Sequence, residues 1–74
     1  MKLKVDYIYY AQESDFSPGY FFVVTAKTTH PFPMQSRILS SEDKSLIGDQ
    51  TGWHEDVNFV TEIGHQDDYP EYFL

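Results

Sequence analysis

A chain of 74 residues without a cysteine holds one domain, and no disulfide or thiolate-bound metal is available to staple it. With 41% hydrophobic and 18% aromatic residues, it is too apolar to be a disordered segment. A net charge of −7 disfavours nucleic acid and anionic membranes as direct ligands and favours partners with basic surfaces.

Residues 2–12 alternate Leu3, Val5, Tyr7, Tyr9 and Ala11 against a face that begins polar and turns apolar, a first strand. Glu13 to Gly19 contains Asp15, Ser17 and the Pro18-Gly19 pair, a turn-rich loop, with Phe16 expected to fold back onto the sheet. A second strand follows from Tyr20 to Thr28, again with apolar residues on both faces near the loop. This pair therefore reads as the covered centre of a sheet, or as one that leaves an aromatic face (Ile8, Tyr10, Tyr20, Phe22) open for a partner. Pro31 and Pro33 end the second strand by removing ladder donors, and Met34–Leu39 returns antiparallel as a third.

Ser40-Ser41-Glu42-Asp43 predicts a helix start, a serine cap followed by acids, for a short helix over Glu42–Ile47 ended by Gly48. Asp49–Asp56 reads as a polar connection with Trp53 at its centre, and Val57–Ile63 alternates as a half-buried fourth strand ended by Gly64. Tyr72, Phe73 and Leu74 close the chain with apolar side chains expected to dock. The expected fold class is α+β: a single compact domain over residues 1–74, a small antiparallel β-sheet of about four strands in a meander, with one short helix. No run approaches the ~20 apolar residues needed to span a bilayer, and a soluble, unprocessed chain is expected. The expected setting is cytoplasmic.

No nucleophile elbow, phosphate loop or HExxH pattern occurs, so an enzyme is not expected. His54-Glu55-Asp56 and His65-x-Asp67-Asp68 place imidazole and carboxylate close in sequence, as a divalent metal would need, but the spacing matches no recognised site. No metal and no cofactor is expected; a small metal or enzymatic site built on His30, His54 and His65 is the outlying alternative. Asp67-Asp68-Tyr69-Pro70-Glu71-Tyr72 resembles an acidic context for tyrosine modification, against the plainer reading of a solvated acidic edge with docked rings.

The informative feature is charge asymmetry. Residues 1–41 sum to +1 and residues 42–74 to −8, with no Lys or Arg after Lys44. Ordinary surfaces mix the two signs. Alternate residues of a strand stand about 6.6 Å apart on one face, and each DNA strand places a phosphate about every 3.4 Å of axis. Carboxylates of Asp49, Glu55, Asp56, Glu62, Asp67, Asp68 and Glu71 would then form a line of phosphate-like density, with Trp53 and Tyr69 as apolar anchors.

In size, lack of cysteine, aromatic β-rich core and clustered acids over 42–74, the chain resembles the small acidic inhibitors encoded by phages and mobile elements, including anti-CRISPR proteins that imitate DNA. The resemblance implies a non-enzymatic protein–protein interaction in the host cytoplasm. The acidic face would occupy the DNA channel of a CRISPR effector complex or a nuclease, with no direct nucleic-acid binding and a monomeric or dimeric chain. The alternative is an acidic immunity or antitoxin protein that neutralises a basic toxin.

Overall fold

The computed structural model describes residues 1–12 and 17–73. Five strands form one antiparallel sheet: β1 (Tyr7–Ala11), β2 (Tyr20–Lys27), β3 (Met34–Ser41), β4 (Gln50–Trp53) and β5 (Val60–His65), in the order β4-β3-β2-β1-β5. The first three strands run as the expected meander, and the meander continues into β4, a strand not expected. β5 departs from it, because the chain crosses from the β4 edge to the opposite edge and pairs with β1.

The crossing and the amino terminus cover one face together. Asp6 has φ +71, a left-handed backbone that Asp tolerates better than most residues, and it turns residues 1–5 out of the sheet. The first strand therefore begins at Tyr7, later than its alternation predicts. Residues 1–5 pair instead with the crossing segment: Leu3 N–H donates to Glu55 O at 2.8 Å, and Val57 N–H donates to Met1 O at 2.9 Å. Leu3 and Val57 thereby pack onto Tyr9, Ala11, Phe22, Val24, Met34, Trp53 and Val60. Val57 contributes to the core from the crossing, and the strand expected to start there starts at Val60. Within this layer Phe22 stacks on Trp53 at 4.7 Å and on Tyr9 at 5.6 Å. The Tyr9 phenol accepts from Lys4 N–H at 2.8 Å, so its buried oxygen is satisfied. Burial pushes that phenol above its ordinary pKa.

Ile8 and Val23 point to the other face and are also buried, at 0% and 4% exposure. Their cover is the carboxyl-terminal segment, built from two short 3-10 turns, Gln66–Asp68 and Pro70–Phe73. Tyr72 packs 5.5 Å from Phe21, and the Tyr69 ring lies over Gly64, the register partner of Ile8. Gly64 does not end the strand; it sits inside β5 at φ +154, beside a register shift, where a Cβ would come within 2.7 Å of the Tyr69 ring. Of the ring-rich set considered open, Ile8 and Phe22 are buried and Tyr10 and Tyr20 are half-buried. Ile8 and Tyr10 belong to one face and Tyr20 and Phe22 to the other, since β1 and β2 pair Tyr9 with Phe22 and Tyr10 with Phe21.

Three further expectations change. The short helix over Glu42–Ile47 is one 3-10 turn, Lys44–Leu46, capped by Asp43 rather than a serine, and no α-helix occurs among the described residues. Ser40 and Ser41 are spent on β3, paired with Phe21 and Tyr20. So few residues cannot offset the cost of nucleating an α-helix. The polar connection 49–56 contains β4, and the sheet has five strands, not four. Phe16 and Leu74, expected to dock, lie outside the described residues. No helix of the described residues is long and apolar enough to cross a membrane.

Candidate functional site

The nine residues singled out by charge and ring content fall in four places. Asp49 precedes β4 at one sheet edge, and Glu62 lies on β5 at the other. Four inter-strand steps at about 4.8 Å put those edges roughly 19 Å apart. Glu55 and Asp56 lie on the crossing segment, and Asp67, Asp68, Tyr69 and Glu71 on the carboxyl-terminal strap of residues 66–73. The acids therefore do not share one strand.

Three of them are matched by cations from the first half of the chain. Lys27 Nζ is 2.7 Å from Glu55 Oε2, the Met1 α-amino group is 2.8 Å from Asp56 Oδ1, and Lys4 Nζ is 3.0 Å from Glu62 Oε1. The hydrogen bond from Lys27 holds the Glu55 carboxyl below the usual carboxylate range, and the bond from the α-amino group does the same for Asp56. The hydrogen bond to Glu62 raises the Lys4 pKa above its ordinary value despite the opposing effect of burial. Lys4 is held twice, since its ammonium also sits 4.0 Å above the Tyr7 ring. Sequence separation hid all three pairs, because the partners are tens of residues apart and meet only through the crossing and the β1–β5 pairing.

The strap differs. Asp67, Asp68 and Glu71 are exposed, and no Lys or Arg lies within ion-pair distance of any of them among the described residues. His65 Nδ1 is 3.7 Å from Asp67 Oδ2, but the same nitrogen accepts Asp67 N–H at 3.1 Å. That nitrogen is thus engaged in capping the strap's first turn rather than in donating to the Asp67 carboxylate.

The two candidate anchors face inward. Trp53 is 7% exposed, with its indole stacked on Phe22 and its Nε1–H donated to Thr51 Oγ1 at 3.0 Å. Tyr69 is half-buried, and its hydroxyl donates to Ile63 O at 3.2 Å. Tyr69 thus fastens the strap to the sheet. Asp6 holds the strap at its start, accepting Gln66 N–H on its carbonyl at 2.8 Å and Gln66 Nε2–H on its carboxylate at 3.2 Å.

Residues outside the charge pattern complete the surroundings. A groove of about 420 Å³ on the strap is lined by Gln66, Asp67, Pro70 and Phe73, with Phe73 47% exposed. A second hollow of about 490 Å³ lies where Tyr10, Phe21, Ser40, Ser41 and Glu42 meet. His30 and His54 flank Phe32 near β4, with ring centroids 6.1 and 4.9 Å from it, and His65 caps the first strap turn. The three histidines are thus dispersed, and no group of three metal-ligating side chains occurs among the described residues. In sequence, the groove is marked only by a Pro shortly after a pair of acids and the rings that follow it.

A scan against protein-family models found no match, and searches of the curated proteins and of the solved structures likewise found none. The functional reading therefore rests on geometry and charge, with no residue role carried over from a relative.

Proposed function

We propose that this chain is a non-enzymatic binding protein that inhibits a basic, nucleic-acid-binding protein by seating its acidic strap where a nucleic-acid backbone would otherwise lie. The observation that carries the reading is the unequal compensation of the acids. Glu55, Asp56 and Glu62 are neutralised within the chain, whereas Asp67, Asp68 and Glu71 are exposed on a docked segment without a cation of their own. Three uncompensated carboxylates within five residues create a local negative field that accelerates encounter with a basic surface. The strap is pinned by Tyr69, Tyr72 and the Gln66–Asp6 bonds, so little ordering entropy is lost when it docks. Occlusion of a DNA channel, the mode of action implied for anti-CRISPR-like DNA mimics, needs no catalytic group and fits this surface. Trp53 and the three paired acids stand outside the proposed contact set, and Asp49 lies at a sheet edge away from Glu62.

Affinity capture with the parent chain and with the Asp67→Lys, Asp68→Lys double variant tests the proposal, followed by elution with duplex DNA or with salt. The expected result is a basic protein captured at low salt by the parent alone and displaced by DNA. A partner captured equally by the charge-reversed variant would overturn the strap assignment. A partner that salt releases but DNA does not would favour an immunity-type inhibitor over a DNA mimic.

A further inference from the structure

We infer that the groove on the strap is a receptor for an arginine side chain of the basic partner. This rests on the binding-protein reading above and names what its acidic surface would hold. The groove joins three elements that a guanidinium uses. The Asp67 carboxylate is 85% exposed and has no Lys or Arg partner among the described residues. The Phe73 ring is exposed at the groove wall, and Pro70 offers an apolar surface for the methylene stem. Gln66 has committed its amide nitrogen to Asp6, leaving its amide oxygen without a hydrogen bond among the described residues and able to accept one more N–H.

The fold already holds one cation by the same combination. Lys4 bonds Glu62 and lies over the Tyr7 ring, so a carboxylate beside an aromatic face is filled there by the chain's own ammonium. On the strap the corresponding pair, Asp67 and Phe73, has no such occupant. Its neighbours Asp68 and Glu71 add to the attraction for a positive group. Arginine fits better than lysine, because a planar guanidinium stacks on a ring while donating in a fork to a carboxylate. A lysine ammonium is a strongly hydrated point charge.

The test is an NMR titration of the intact chain with a capped tetra-arginine peptide and, separately, a capped tetra-lysine peptide. Tetra-arginine is expected to shift the Phe73 ring and Asp67 amide signals and to bind more tightly than tetra-lysine. Phe73→Leu, which keeps an apolar side chain but removes the ring, should weaken the arginine peptide roughly two- to five-fold and the lysine peptide less. Asp67→Asn should weaken both. Parent-like spectra in the remaining residues establish that the variants are folded. Equal affinity of the two peptides, or tetra-arginine binding unaltered by Phe73→Leu, would overturn the arginine receptor while leaving the acidic strap standing. Absence of binding by either peptide at low salt would overturn both.

Discussion

Residues 54–62 and residues 66–73 are neighbours in sequence, equally rich in acids and equally poor in cations, yet the fold uses their charge in opposite ways. In the first stretch Glu55, Asp56 and Glu62 meet Lys27, the α-amino group and Lys4. The pairs lie along the seam where the amino terminus and crossing segment close over the core. In the second, Asp67, Asp68 and Glu71 ride on turns that pack Tyr69 and Tyr72 against the sheet while their carboxylates and the Phe73 ring face water. A run of like charge along a sequence is therefore no measure of a charged surface. The carboxylates left without a cation after tertiary pairing are fewer, and more local, than the run of acids over residues 42–74 implies.

The sharpest way to break this contrast is to make the seam fail by packing while its charges stay in place. Trp53→Ala removes a buried indole stacked on Phe22, and it should cost about 3–5 kcal/mol by urea denaturation, enough to unfold much of a small domain. If the cost is small, Trp53 belongs to a surface and returns to the candidate anchors. Reversing the strap acids should do the converse. Asp67→Lys with Asp68→Lys should slow association with a basic partner roughly 10- to 1,000-fold at low salt. The melting transition should stay near the parent's, because exposed acids of this kind contribute little to stability.

Whether the strap must be docked to act is settled by Gly64→Ala. The new Cβ would meet the Tyr69 ring from a backbone conformation that L side chains rarely adopt. A loss of about 1–3 kcal/mol is expected, with hydrogen-exchange protection falling first over residues 66–73. Partner binding should weaken in step if a pinned strap is what docks.

The smallest expected effect concerns the pairs themselves. Glu55 and Asp56 have carboxyl groups held lower in the folded chain than in the unfolded one. Their contribution is therefore fully present above the unfolded-state carboxylate pKa and fades as pH falls through the lower folded-state values. Glu55→Gln with Asp56→Asn should flatten the acid limb of the stability–pH curve slightly, and added salt should shrink the difference between parent and variant. Neither substitution should alter binding to a basic partner. A loss of binding as large as that of the strap reversal would place the seam acids back in the contact surface.

How far these features can be read in advance differs by element. β2 was legible as a run of aromatic and β-branched residues bounded by turn formers, and β3 as the segment returning after Pro31 and Pro33. β4 was not, because in Gln50-Thr51-Gly52-Trp53 only Trp53 is buried and one buried residue makes no period. The start of β1 was obscured because alternation continues through Leu3 and Val5, although Asp6 has already turned the chain away. For the candidate site, the strap acids were visible as charge. The pairing of the other three was not, since no local pattern tells which distant lysine will face a given glutamate.

The residue types alone determined a cysteine-free, aromatic, antiparallel β domain with an acidic second half, because hydrophobic periodicity, turn chemistry and charge are local properties. Tertiary structure decided the rest. The crossing that sends β5 to the far edge, the closure of both sheet faces, and the division of the acids into a neutralised seam and an open strap all depend on contacts between residues far apart in the chain. Such contacts follow from how a finite core is covered, and no short stretch of sequence contains them.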